Sequence, residues 1–176
     1  DLTVEEVSVS TDLDTDTTLP TGIGADTASS LTVNDTFVGN HSAGTTTGTG
    51  VDTGDGVTLE LTGSTLAGGD ESAGVVAASD TTPTLTDTTV QNFDQAGVQT
   101  EDDALTITGG EISNNGAAGV TDDGVTAAAT QYEINGTTIA NNGGDGVALS
   151  DVGLVVTDAT VESNTNGVVV RGAENV

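Results

Sequence analysis

Few side chains in this chain offer chemistry. Acidic residues stand side by side at several places, among them Asp70-Glu71, Asp102-Asp103 and Asp122-Asp123. There is one histidine, His41, one arginine, Arg171, and neither lysine nor cysteine. Paired carboxylates suggest two activities. Held about 5–9.5 Å apart, they can protonate and attack a glycosidic bond. Side by side, they can share calcium or another hard cation through oxygen ligands. Asp102, Asp103, Asp122 and Asp123 are the candidate metal ligands, and no other cofactor is expected. The run "DLDTDTTLPTGI" (Asp12–Ile23) opens like an Asp-x-Asp-x-Asp calcium loop but lacks its sixth-position Gly and twelfth-position Glu. The Gly-rich "TGTGVDTGDG" (Thr47–Gly56) has no Lys and no following helix, so it is not a phosphate loop. Three Asn-x-Ser/Thr triplets make Asn34, Asn40 and Asn135 glycan acceptors if the chain is exported.

Whether any of these groups meet depends on the elements that carry them. An apolar anchor recurs at Val4, Val33, Leu61, Leu85, Ile107, Ile134 and Val156. Five residues after each anchor stands a second apolar residue: Val9, Val38, Leu66, Val90, Ile112, Ile139 and Val161. The intervals between anchors are 29, 28, 24, 22, 27 and 22 residues, so the seven units vary in length. Most units close on Gly and an apolar residue, as in Gly74-Val75, Gly97-Val98, Gly119-Val120, Gly146-Val147 and Gly167-Val168. The second unit reads as the irregular one, with a Gly/Thr-rich bulge before Val57. Thr, Val and period-two alternation suit strands, and no window has sustained helical spacing. A short strand cannot bury its apolar face alone. Stacking unit on unit at about 4.8 Å makes continuous parallel sheets around a narrow core. The expected fold is all-β: a right-handed parallel β-helix of about seven coils with three short strands each, one domain over residues 1–176. Asn40, Asn92, Asn114 and Asn141 stand two residues after the second apolar position, with Gly68 and Ser163 in the same slot, where a tight corner needs a left-handed backbone. A second Asn often follows, at Asn115, Asn142 and Asn164. Stacked on successive coils, the amides of such corner asparagines can bond the next corner's backbone or the next Asn.

This pattern resembles the pectin-lyase-like β-helix superfamily, and within it surface proteins with irregular coils. The resemblance spans nearly the whole chain. It implies architecture rather than activity, because the superfamily mixes polysaccharide lyases, hydrolases, viral spikes, adhesins and structural solenoids. A lyase of this type needs a base and acidic calcium ligands. Asp102 and Asp103 fall at the corner before the fifth coil, and Arg171 falls at the equivalent corner three coils later, about 14 Å away. His41 falls at another corner. The pieces do not converge, and Arg171 is expected to face Ser150 and Asp151 as a surface pair. Catalysis is not expected.

The chain carries 28 acidic residues against one Arg, a net charge of -27. That excludes nucleic acid and anionic membrane surfaces as partners, and no apolar run is long enough to span a bilayer. Self-repulsion of this size opposes a compact state, and molar salt relieves it by shortening the Debye length to about 3 Å. The composition therefore points to a salt-loving source, and the triplets and Thr-rich faces point to an extracellular or cell-surface location. Leu2 begins the first coil, and Val176 falls in the slot of Leu154 and Leu2. Both ends are thus expected to be open and covered by something. The expected stacking interface is Leu2, Val4 and Val9 at one end, and Leu154, Val156, Val161, Val168 and Val170 at the other. It would bind copies of the chain end to end, or further coils of a longer chain. The favoured function is a structural solenoid in a surface layer, fibre or filament. The alternatives are a carbohydrate-binding or adhesin/viral-spike β-helix, and then a polysaccharide lyase or hydrolase.

Overall fold

In the computed structural model the described residues are 1–5, 8–10, 21–26, 30–39, 49–68, 73–101, 104–122, 131–150 and 152–172. They form three seven-stranded parallel sheets. Each coil contributes one strand to each sheet, and the second to sixth coils have neighbours on both sides. Sheet 1 runs from Leu2–Glu5 to Gly153–Thr157, sheet 2 from Ser8–Ser10 to Thr160–Glu162, and sheet 3 from Thr21–Ala25 to Val168–Arg171.

The anchors predicted from spacing stack as one column. Val4 pairs with Val33, Val33 with Leu61, Leu61 with Leu85, Leu85 with Ile107, Ile107 with Ile134, and Ile134 with Val156. The second column runs in register from Val9 through Val38, Leu66, Val90, Ile112 and Ile139 to Val161. Strict alternation produces this, with Thr58–Thr62 and Gln131–Asn135 each burying every second residue. Leu61, Leu66, Ile112 and Ile139 have no exposed surface. Burying such side chains contributes roughly 1.5–3 kcal/mol each.

The corner between sheets 1 and 2 has constant length. Two residues after six of the anchors, Asp35, Gly63, Asp87, Gly109, Gly136 and Asp158 all adopt positive φ. Asp and Gly are the residues that tolerate it. Each Asp that has a following coil in the described structure stacks on a glycine. A Cβ on Gly63 would lie 2.4 Å from Asp35 Oδ1, and one on Gly109 would lie 2.1 Å from Asp87 Oδ1. The alternation keeps two carboxylates from facing each other across one strand spacing.

The closing glycines have a packing reason. A Cβ on Gly74, Gly97, Gly119 or Gly146 would fall within 2.8 Å of the carbonyl oxygen of the corresponding glycine in the next coil. It would also meet Val90, Ile112, Ile139 or Val161 of sheet 2. The second unit is not the exception its sequence suggests. Gly50 and Val51 occupy this slot within Thr49–Thr53, with Val51 paired to Ile23 and Val75. The long approach to them hides the pair: Val51 stands 18 residues after Val33, as Ile23 stands 19 after Val4.

Candidate functional site

The Asn-Asn pairs are corners. Asn92, Asn114 and Asn141 adopt positive φ, and Ser163 does the same in the seventh coil. The second asparagines form a ladder along the axis. Asn142 Oδ1 accepts from the backbone N–H and from Nδ2 of Asn115, both at 3.0 Å. Asn164 Oδ1 accepts from the same two groups of Asn142, both at 2.9 Å. Phe93 N–H donates to Asn115 Oδ1, so the ladder ends on Phe93. The ring of Phe93 is buried and fills the space left by glycines, since a Cβ on Gly68 would lie 2.1 Å from it. A lone aromatic in an asparagine slot, one coil from a glycine, was the signal for this plug.

Among the candidate metal ligands, Asp102, Asp103 and Asp123 lie outside the described residues, as do Asp70, Glu71, Asp12, His41 and Asp151. Asp122, a candidate through its pairing with Asp123, ends the strand Val120–Asp122. Its carboxylate accepts the backbone N–H of Ser150 in the next coil. A short polar side chain at a strand end replaces a ladder partner there. Among the described residues no group of three or more His, Cys, Asp or Glu side chains could hold a metal ion. Arg171 is exposed and in register with Ser150.

Three polar features leave no mark in the spacing of the sequence. Tyr132, fully buried in sheet 1, shares a hydrogen bond between its hydroxyl and Thr100 Oγ1 of sheet 3. The bond joins two sheets between residues 32 apart in sequence, so only the fold brings the pair together. Asp52, outward on sheet 3 beside Thr53, has its carboxyl pushed above the usual range, first by partial burial and then by the neighbouring Asp26 charge. Thr53 Oγ1 is buried with no hydrogen-bond partner among the described residues. None of these groups converges on a cleft with a base, a nucleophile and a ligand site.

The family model for the right-handed β-helix region matches residues 21–176. The chain belongs to the right-handed β-helix family. No curated protein and no solved structure matches it. As in any β-helix, function resides in side chains grafted on the coils rather than in the fold. Two groups of such positions remain.

The first is the pair of terminal coils. Leu2 is 41% exposed, Val156 41%, Val168 45% and Val170 36%, whereas Leu31, Ile134, Val147 and Leu149 in the same columns are at most 1% exposed. Val4, Leu154 and Val161 are partly buried against the core. Val9 is placed by its pairing with Val38. The second group is the glycan triplets. Asn34 and Asn135 are on the outward face of sheet 1, Asn34 half-buried and Asn135 exposed. Asn40 lies outside the described residues.

Proposed function

We propose that this β-helix is a structural solenoid of an extracellular or cell-surface layer, fibre or filament in a salt-loving source. Its coils are extended end to end, by copies of the chain or by further coils of a longer polypeptide. The observation that carries this reading is the exposure of the inward columns at Leu2, Val156, Val168 and Val170. Two further features support it. Gly167 has open space where a Cβ would point, while its counterparts Gly74, Gly97, Gly119 and Gly146 are pressed by a following coil. The ladder also has a direction: each corner N–H is received by the asparagine of the next coil. A coil laid on the seventh with Asn or Asp in that slot would continue it. Such a contact is heterologous and does not close on itself, which is the geometry of a fibre. The excess of 27 negative charges sets the condition for it, because like-charged coils approach only when salt screens them.

The test is electron microscopy and intact mass of the native material in molar salt, with Val168→Asp as the blocked variant and Thr106→Asp as an outward control. Filaments lost in Val168→Asp and kept in Thr106→Asp are expected for stacking copies. A mass well above that of 176 residues with no assembly is expected for further coils. Monomers of this mass in all three proteins would overturn the reading.

A further inference from the structure

Both described glycan triplets straddle the constant corner between sheets 1 and 2. In each, the asparagine ends a sheet 1 strand, the middle residue turns the chain, and the threonine begins the approach to sheet 2. Asp35 and Gly136, the middle residues, have φ of 45° and 63°. The turn drives the threonine inward: Thr36 is 2% exposed and Thr137 1%. Each hydroxyl is also committed. Thr36 Oγ1 donates to the carbonyl of Asn34 at 2.7 Å, and Thr137 Oγ1 donates to the carbonyl of Asn135 at 3.2 Å. The same bond closes the corner in coils with no triplet, from Ser64 to Thr62 and from Thr88 to Thr86. The hydroxyl is therefore part of the corner's architecture.

Modification of an Asn-x-Thr triplet depends on that hydroxyl, so the transferring enzyme must reach it. In the folded solenoid it is sealed, whereas the asparagine side chain beside it is not. Asn135 stands in an outward column between Thr108 and Thr157, all three exposed. Asn34 stands between Glu5 and Thr62 and donates Nδ2 to Glu5 Oε1 at 3.3 Å. A glycan already attached at Asn135 would project into solvent with no strand displaced. Acceptor recognition and glycan accommodation thus belong to different states of the chain.

We infer that Asn34 and Asn135 are glycan acceptors only in the unfolded chain, and that closing the sheet 1–sheet 2 corner switches both sites off while leaving room for a glycan already in place. In the cell this rests on the extracellular reading, but the chemistry does not, so it is tested in vitro. The probe is an oligosaccharyltransferase with its lipid-linked oligosaccharide. The substrates are the folded chain, the Ile112→Asp chain with its loss of β-structure checked by circular dichroism, and peptides spanning 30–39 and 131–140. Sites are mapped by mass spectrometry after cleavage at acidic residues. The peptides are expected to be modified at both asparagines, and the Ile112→Asp chain at each asparagine whose coil has lost its β-structure, Asn135 in the adjoining coil first. The folded chain should be slower by at least about 100-fold, because modification waits for local opening. Thr137→Val in the 131–140 peptide should abolish modification at Asn135. Folded chain modified at the peptide rate would overturn the inference, and so would peptides left unmodified. Neither outcome bears on end-to-end stacking, which is read by microscopy.

Discussion

Replacing Asn142 by Ala removes one rung from the middle of the ladder. The Asn142 side chain makes four hydrogen bonds: it accepts from the N–H and Nδ2 of Asn115 and donates Nδ2 to the carbonyl of Ile112 and to Asn164 Oδ1. Asn115 is 1% exposed, so its backbone N–H and one amide hydrogen lose their acceptor where solvent does not reach. A buried donor left unmade costs about 1–3 kcal/mol, which for two donors gives about 2–6 kcal/mol. A water entering the vacated volume recovers part of this, so the expected loss is about 2–4 kcal/mol, a large fraction of the roughly 5–15 kcal/mol of an ordinary domain. Asn142→Asp should be worse. Its carboxylate still accepts from Asn115, but it turns an anionic oxygen toward the Ile112 carbonyl and Asn164 Oδ1. Asn114→Gly is the control. Asn114 holds φ of 57°, and its side chain donates to Ser113 Oγ; Gly accepts that backbone and keeps the N–H bond to the Ala140 carbonyl. Urea titration in molar salt, followed by circular dichroism, reads all three without changing ionic strength. The order Asp worst, Ala next, Gly near wild type is expected. An Asn142→Ala chain within about 0.5 kcal/mol of wild type, the range of surface substitutions, would refute the assignment of the ladder as a buried structural network.

Gly119→Ala should destabilise by about 1–3 kcal/mol through overpacking, since the new Cβ meets Gly146 O and Ile139 Cγ2 at 2.6 Å. Gly167→Ala, with nothing within 4 Å, should be neutral in the isolated chain, and the two urea midpoints compare them. Ile112→Asp places a charge at a site with no exposed surface between Val90 and Ile139, and should unfold several coils as judged by lost β-structure. Dilution from molar to millimolar salt should remove β-structure from the wild-type chain, driven by 28 acids against one Arg. Asp52 supplies a pH test. Its carboxyl is raised in the fold, so the folded chain holds that proton more tightly than the unfolded chain. Stability from this group is gained as pH falls through the raised value toward the ordinary carboxyl value of 3.8, and is lost as pH rises. Asp52→Asn should therefore be more stable than wild type at neutral pH, with the gap closing below 3.8; a gap independent of pH would exclude this origin.

The columns were legible because one constraint repeats unchanged. The five-residue step from anchor to second apolar residue spans a corner of fixed length, so Leu85 and Val90 predict the placement of Ile107 and Ile112 with no knowledge of the rest. The asparagine corners were legible for the same reason, since Asn114 and Asn141 share one backbone demand. Features that depend on corners of variable length were hidden. Gly50-Val51 is masked by an approach longer than that of Gly74-Val75, and the inward-facing partner of Tyr132 lies 32 residues away in another sheet. Asp122 reads as a candidate metal ligand because its neighbour is also Asp. Its use as an acceptor for Ser150 appears only once the sixth coil is laid against the fifth.

The backbone hydrogen bonds of all three sheets run from coil to coil, along the axis of stacking. In a silk-like sheet loaded along its strands, the covalent chain bears the pull and the hydrogen bonds resist shear. Here tension along the axis stretches every interstrand bond lengthwise. Pulled evenly across a coil face, the three ladders resist together and fail as a set. Pulled at a single strand, they open one after another, each at a small force, as a zipper does. A fibre of such coils would draw its toughness from how load enters it, and a joint that grips all three sheets at once would be stronger than one that grips the polypeptide by a tail.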